Sequence, residues 1–308
     1  MGFADLKNDF VFRRVFASHP DILRGLLNDL LERQGDQTIV DIEYLPSEQV
    51  PLVVGAKLSI LDVKCKDRAG TTFVVEMQLI HVPGFLERVV YNASKAYVGQ
   101  LQKGAPYTDL ADVVAISICD FALWPDAEQD AKKLPRVPML SRWNMMERTS
   151  KNHGLLHVQY AFLELPKVPA QPPASGAGLW AWLFVNAKNL KEVPPELPPG
   201  PYRDAVELAN VASFTVEELD AYQKTIDEIE QLRQLVAAKL AEGEAAGLLK
   251  GKVEGKISSS FAILAARGLV VDAEARARIE GCTDLATLDR WLVRAVTAAS
   301  AAEVVAAS

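Results

Sequence analysis

Residues 58–80 read LSILDVKCKDRAGTTFVVEMQLI, two strand-like runs around a turn signal at Asp67, Arg68, Ala69 and Gly70. A three-residue loop over Arg68-Ala69-Gly70, with Gly70 in the left-handed position, fixes the pairing of the two runs. In that register Asp62 stands directly opposite Glu76, with β-carbons ~4.5–5.5 Å apart. Gln78 lies two residues beyond Glu76 and therefore on the same face, which Lys64 and Lys66 share. The other face carries Leu61, Val63, Cys65, Phe73, Val75, Met77 and Leu79, which is core material. Two facing carboxylates destabilise a strand pair unless something offsets their charge. A hard divalent cation such as Mg²⁺ would do so while keeping water ligands for substrate chemistry. Such a metal activates water and neutralises charge on a phosphate. The alternative is a solvated strand face on which Lys64 and Lys66 pair with the two acids.

The elements around this hairpin are predicted from periodicity. Phe10, Val11, Arg14, Val15 and Phe16 begin an apolar helical stripe. After the His19-Pro20 break, Ile22, Leu23, Leu26, Leu27, Leu30 and Leu31 form a second helix that Gly35 would stop. Strands are predicted over 58–66 and 72–80, and a helix over 85–102. Val113–Cys119 is an unbroken apolar run, as expected of a buried central strand. A further strand spans 157–165. The expected fold class is therefore α/β, a mixed central sheet flanked by helices and followed by a helical C-terminal region.

Three segments are expected: a core over 1–165, a proline-rich connection over 166–201 that packs on the core, and a helical region over 202–308. The connection contains KVPAQPPASG and VPPELPPGP around a short Trp-bearing apolar segment at Leu179–Val185, and as a whole it reads as ordered but irregular rather than a free linker. Thr215 and Glu218 form a capping-box pattern ahead of a long charged helix. Within it Gly243, Gly247, Gly251 and Gly255 recur every four residues. Each interior glycine costs ~1 kcal/mol against alanine, so the series is either a close-approach seam for a partner, such as a second copy, or a weakly helical tether. Phe261–Ala298 reads as a small helical cap with Leu264, Leu269, Leu285, Leu288, Trp291 and Leu292 as its apolar contacts.

Composition limits the function classes. The chain has 308 residues, a formal charge of −7 and 49% apolar residues. Such an acidic balance argues against a protein that coats nucleic acid broadly, but not against a local contact aided by metal. No apolar run approaches the ~20 residues of a membrane span, and the first ten residues lack a secretory leader pattern. Cys65, Cys119 and Cys282 are sparse and far apart, which excludes zinc-type spacing and fits a reducing cytoplasm. The four histidines form neither a Ser/His/Asp nor an HExxH arrangement, although His81 follows the hairpin closely.

Asp62, the hairpin and Glu76-x-Gln78 resemble the core of PD-(D/E)XK nucleases, and more closely the recombination-promoting nuclease and transposase group, which commonly has Gln where the superfamily pattern has Lys. The opening LKNDFVFRRVF resembles that group's N-terminal motif, with Arg13 where Lys is more usual. Phe85, Arg88, Tyr91, Ser94, Tyr97 and Gln100 resemble its next helix, and the resemblance spans about residues 4–255. It implies a metal-dependent DNA endonuclease linked to recombination or transposition. Asp62 and Glu76 would hold Mg²⁺, or Mn²⁺, and Gln78 would orient the attacking water or the scissile phosphate. Asp9 is a third metal-ligand candidate, or else a helix N-terminal charge. Lys64, Arg88, Tyr91 and Lys95 are candidate DNA contacts, the last three sharing one helical face; solvated cations and core-edge tyrosines are the plainer reading of the same residues. The runner-up function is an intact fold that binds DNA or a protein partner without cutting.

Overall fold

The computed structural model describes residues 2–49, 59–101 and 104–306. They divide into two units, 1–229 and 230–308. In the first unit, α1 (Asp9–Phe16) and α2 (Pro20–Leu30) form on either side of the predicted break. Asn8 caps α1 by accepting hydrogen bonds from the Phe10 and Val11 N–H groups. Leu31 ends α2; Gly35, expected to stop it, instead opens a short 3₁₀ turn at φ +58°. Short strands β1 (Ile42–Tyr44), β2 (Glu48–Gln49) and β3 (Ser59–Ile60) precede the hairpin, β4 (Val63–Asp67) and β5 (Thr72–Gln78). The first predicted hairpin strand is thus divided between β3 and β4, and its residue 58 lies outside the described residues. Then come α3 (Phe85–Val98), β6 (Val113–Cys119), α4 (Asp126–Ala131), β7 (Leu140–Met145) and β8 (Leu155–Glu164).

The six-stranded sheet has the order β1-β4-β5-β6-β8-β7. β6 is parallel to both β5 and β8, and all seven of its residues are buried, as its unbroken apolar run requires. The remaining pairings are antiparallel, so the sheet is mixed. The β4–β5 register pairs Val63 with Val75, Lys64 with Val74 and Lys66 with Thr72, the pairing read from the sequence. Gly70 adopts φ +88° in the connecting loop, and Asp67 Oδ1 accepts from Thr71 N–H at 2.9 Å to close it.

Both faces of the sheet are covered, where the sequence suggested one apolar and one polar face. Val63, Cys65, Phe73 and Val75 face a core built from α1, α2 and α5 (Ala177–Asn186). Val74 and Ala115 face Phe85, Val89, Ala93 and Ala96 of α3. Leu61, assigned to the first face, belongs to this second cluster. Within the 166–201 connection, read as irregular, the Trp-bearing segment is a regular helix: α5 buries Leu179, Trp180, Leu183 and Phe184 in the main core. α6 (Pro201–Leu208) packs there too, through Tyr202, Ala205 and Val206.

Thr215 and Glu218 form the predicted capping box, with Thr215 N–H donating to Glu218 Oε2 at 2.8 Å and Glu218 N–H to Thr215 Oγ1 at 3.2 Å. They open α7 (Val216–Ala266). The second unit adds α8 (Ala273–Glu280), α9 (Leu285–Thr297) and α10 (Ala301–Val305) to the end of α7. Its core contains Leu264, Leu288 and Trp291 as expected, and adds Ile279 from α8 and Val304 and Val305 from α10. Leu285 and Leu292, expected as core contacts, lie at its half-exposed margin. Among the described residues no helix is long and apolar enough to cross a membrane.

Candidate active site

The hairpin register brings Asp62 level with Glu76. Asp62 sits in the bend just before β4 rather than within it. Its Oδ2 accepts from the Met77 N–H at 2.7 Å, which ties the carboxylate to the neighbouring strand. Glu76, only 8% exposed, points to the α3 side of β5, and its Oε1 accepts from Asn92 Nδ2 at 2.8 Å. Burial pushes both carboxyls up. Asp62 reaches about 7, chiefly through burial, with Asp9 and Glu76 adding to the rise and the Met77 N–H and Arg13 opposing it. For Glu76 burial outweighs the Arg88 charge and the Asn92 hydrogen bond. Two acids in such surroundings lack sufficient positive charge to stay ionised comfortably.

Gln78 ends β5 on the same face. Its Nε2 donates to the Ile80 carbonyl at 2.9 Å, and its Oε1 accepts from Arg88 Nη2. The strand end is itself anchored: Asp120 N–H donates to the Gln78 carbonyl at 2.9 Å, and Lys7 Nζ donates to both Asp120 oxygens at 2.8 Å.

Asp9 is drawn to the rim by Arg13, whose guanidinium meets Asp9 at 3.1 Å and Asp62 at 3.3 Å. Asp9 is half-exposed there and approaches the carboxylate pair through Arg13. The DNA-contact candidates separate. Arg88 turns toward Gln78 and Glu76. Tyr91 is exposed, and Lys95, itself buried, lies over its ring at 5.6 Å from the centroid. Lys64 is half-buried, with its ammonium pulled below the usual lysine range by that burial alone. Lys66 pairs with Glu43 of β1 at 3.0 Å rather than with either acid. His81 is exposed beside the Phe85 and Phe121 rings and, among the described residues, makes no hydrogen bond to the site.

Three participants were not singled out from the sequence: Asn92, Lys7 and Asp120. Asn92 had a signal, an amide on the stripe of α3 that also carries Phe85, Val89 and Ala96. A buried amide among apolar neighbours needs a polar partner, and Glu76 supplies it. Lys7 and Asp120 meet 113 positions apart, which no local pattern announces.

The residues present fit a small divalent cation. Asp62, in the bend before β4, and Glu76, in β5, offer hard oxygen ligands, and their raised carboxyls accord with a site that a counter-charge would relieve. Among the described residues no three His, Cys, Asp or Glu side chains form a ready ligand cage. Mg²⁺ commonly binds through one or two carboxylates and completes its shell with water and substrate oxygens, so a pair suffices.

A mixed sheet covered by helices on both faces, with two acids level across a hairpin and a polar amide beyond them, defines a chain of the nuclease-core class. The family model for the PD-(D/E)XK nuclease family transposase matches residues 6–234, and the chain belongs to that family. That membership supports a nuclease-type function. No curated protein and no solved structure matches the chain.

Proposed function

We propose that the protein is a divalent-metal-dependent endonuclease that hydrolyses DNA phosphodiester bonds, with a role in recombination or transposition. The observation that carries this reading is the pair Asp62 and Glu76, level across the β4–β5 hairpin with Gln78 on the same face, inside a nuclease-family match. Asp62 and Glu76 would hold Mg²⁺ or Mn²⁺, with Asp9 within reach of the rim. When bound, the metal supplies charge neutralisation at the scissile phosphate and a more acidic water. The chain's own residues do the rest. The Met77 N–H fixes Asp62 Oδ2 and Asn92 fixes Glu76 Oε1, while Arg13 holds Asp62 Oδ1 and would yield that oxygen to a bound metal. Gln78 orients the phosphate or the attacking water by hydrogen bonding.

The test is cleavage of supercoiled plasmid in MgCl₂ or EDTA by wild type, Asp62→Ala and Glu76→Ala. Nicking or linearisation that needs metal and falls at least ~100-fold in both variants supports the assignment. Wild type that fails to cleave under every divalent metal tried, yet binds DNA or a protein, would move the assignment to the non-cutting reading. Activity surviving both substitutions would place the site elsewhere.

A further inference from the structure

We propose that Arg88 is the cation of this site, acting through Gln78, and that it fixes the Gln78 amide as a hydrogen-bond donor to the scissile phosphate. The inference rests on the nuclease reading above and deepens it. Charge accumulates on phosphate oxygens during hydrolysis, and preorganised donors or cations aimed there stabilise it. Gln78 is neutral, so a positive charge must come from a neighbour. Lys66 is committed to Glu43 at 3.0 Å. Lys64 shares the face, but among the described residues it makes no ion pair, and burial alone accounts for its lowered ammonium. Arg13 is committed to Asp9 and Asp62 at 3.1 and 3.3 Å. Arg88 alone of these reaches the amide: its Nη2 donates to Gln78 Oε1, and Glu76 feels its charge.

The orientation of the amide follows from its partners. An arginine can only donate, so the oxygen of Gln78 must face it. The Ile80 carbonyl can only accept, so the nitrogen must lie there, as it does at 2.9 Å. One N–H of that nitrogen is then engaged and one remains to donate. A donation from arginine polarises the amide and makes its remaining N–H a stronger donor. Gln78 in this arrangement binds an anionic oxygen and cannot take a proton from water.

Arg88 is held for this contact at some expense. Its Nε is buried and meets no acceptor among the described residues. Its guanidinium lies over the Phe85 ring, 5.5 Å from the centroid, and Phe85 is itself buried in the α3 cluster.

The experiment measures kcat and KM for Mg²⁺-dependent plasmid cleavage by wild type, Arg88→Ala, Arg88→Lys, Gln78→Lys and the double variant Arg88→Ala/Gln78→Lys, with thermal melts to confirm folding. Loss of a preorganised charge at such a site costs about 100-fold in rate, so Arg88→Ala should lower kcat by that order with KM little changed. The double variant, which puts an ammonium directly at position 78, should recover at least ~10-fold over Arg88→Ala, a rescue that a purely structural role for Arg88 would not give. Should Arg88→Ala not fold, a further variant, Arg88→Gln, which loses the charge, is set beside Arg88→Lys, which keeps the charge but not the planar fork, and Arg88→Lys should retain more activity. Wild-type cleavage with an equally active Arg88→Ala, or a double variant no better than the single, overturns this inference and leaves the nuclease reading intact. Wild type that does not cleave at all overturns both.

Discussion

At the scale of single residues, the site is a pair of acids held where acids are uncomfortable. Asp62 is pushed up to about 7 by burial first and by Asp9 and Glu76 next, whereas in an unfolded chain an aspartate titrates near ~3.9. Between those values the folded state binds more protons than the unfolded one. The stability associated with Asp62 is therefore fully present below about pH 4 and is lost as pH rises through about 7. Asp62→Asn keeps an oxygen to accept from the Met77 N–H but cannot ionise. In EDTA it should melt above wild type at pH 8, by a margin about three times that at pH 5. Divalent metal reverses the order, because a ligand bound only by the folded state stabilises it. Millimolar Mg²⁺ should raise the melting temperature of wild type and leave Asp62→Asn where it was. Melts that do not respond to the substitution at pH 8 would mean that the carboxylate is well solvated.

At the scale of elements, most of the site's frame was legible. The turn chemistry at Asp67–Gly70 set the register that makes Asp62 and Glu76 neighbours, and the seven-residue apolar run set the central strand. Local rules sufficed there because hairpin register and strand burial are written within twenty residues. What escaped was decided by distant partners. β7, reading LSRWNM, has no alternation of apolar residues and is a strand because β8 offers an edge. Val74, on the supposed polar face, was the one local sign that α3 would cover it. The residues that hold Glu76 and the Gln78 amide, Asn92 and Arg88, come from that covering helix, so their contacts depended on a packing the periodicity did not fix. The glycine series in α7 is an opposite case, legible as a pattern but without an intramolecular reason. A Cβ built at Gly243, Gly247, Gly251 or Gly255 meets nothing within 4 Å among the described residues. Replacing all four with alanine should increase helicity at 222 nm and slow amide exchange across 243–255, by up to ~1 kcal/mol per substitution. Slower exchange would show that the glycines serve flexibility or a partner rather than this chain's own packing. Faster exchange would show a close contact that the added methyls disrupt.

At the scale of the whole molecule, charge governs how DNA would be met. The second unit, 230–308, has ten Lys and Arg against ten Asp and Glu, so the entire formal charge of −7 belongs to the first unit, which carries the site. A polyanion approaching that unit is repelled once it comes within about a Debye length, ~8 Å at physiological salt, beyond which the ions screen the charge. Near the site the repulsion is concentrated at Asp62 and Glu76, with Asp9 on the rim, and Arg13 and Arg88 offset only part of it. Divalent metal should then act on binding as well as on chemistry. The affinity of wild type for a 30-base-pair duplex, read by fluorescence anisotropy in EDTA, should be weak and rise at least ~10-fold with Ca²⁺, an oxygen-seeking ion that these acids can hold. At pH 8, above the raised Asp62 carboxyl, the double variant Asp62→Asn/Glu76→Gln removes the negative charge of the pair without metal. It should bind the duplex more tightly than wild type in EDTA and gain little from Ca²⁺. Its salt dependence should be that of a few phosphate contacts, since the slope of log K against log salt is ≈ −0.9 per neutralised phosphate and the cations near the site are few. If the double variant binds no better than wild type in EDTA, the two carboxylates do not face the DNA, and the electrostatic argument for a metal between them fails with that result.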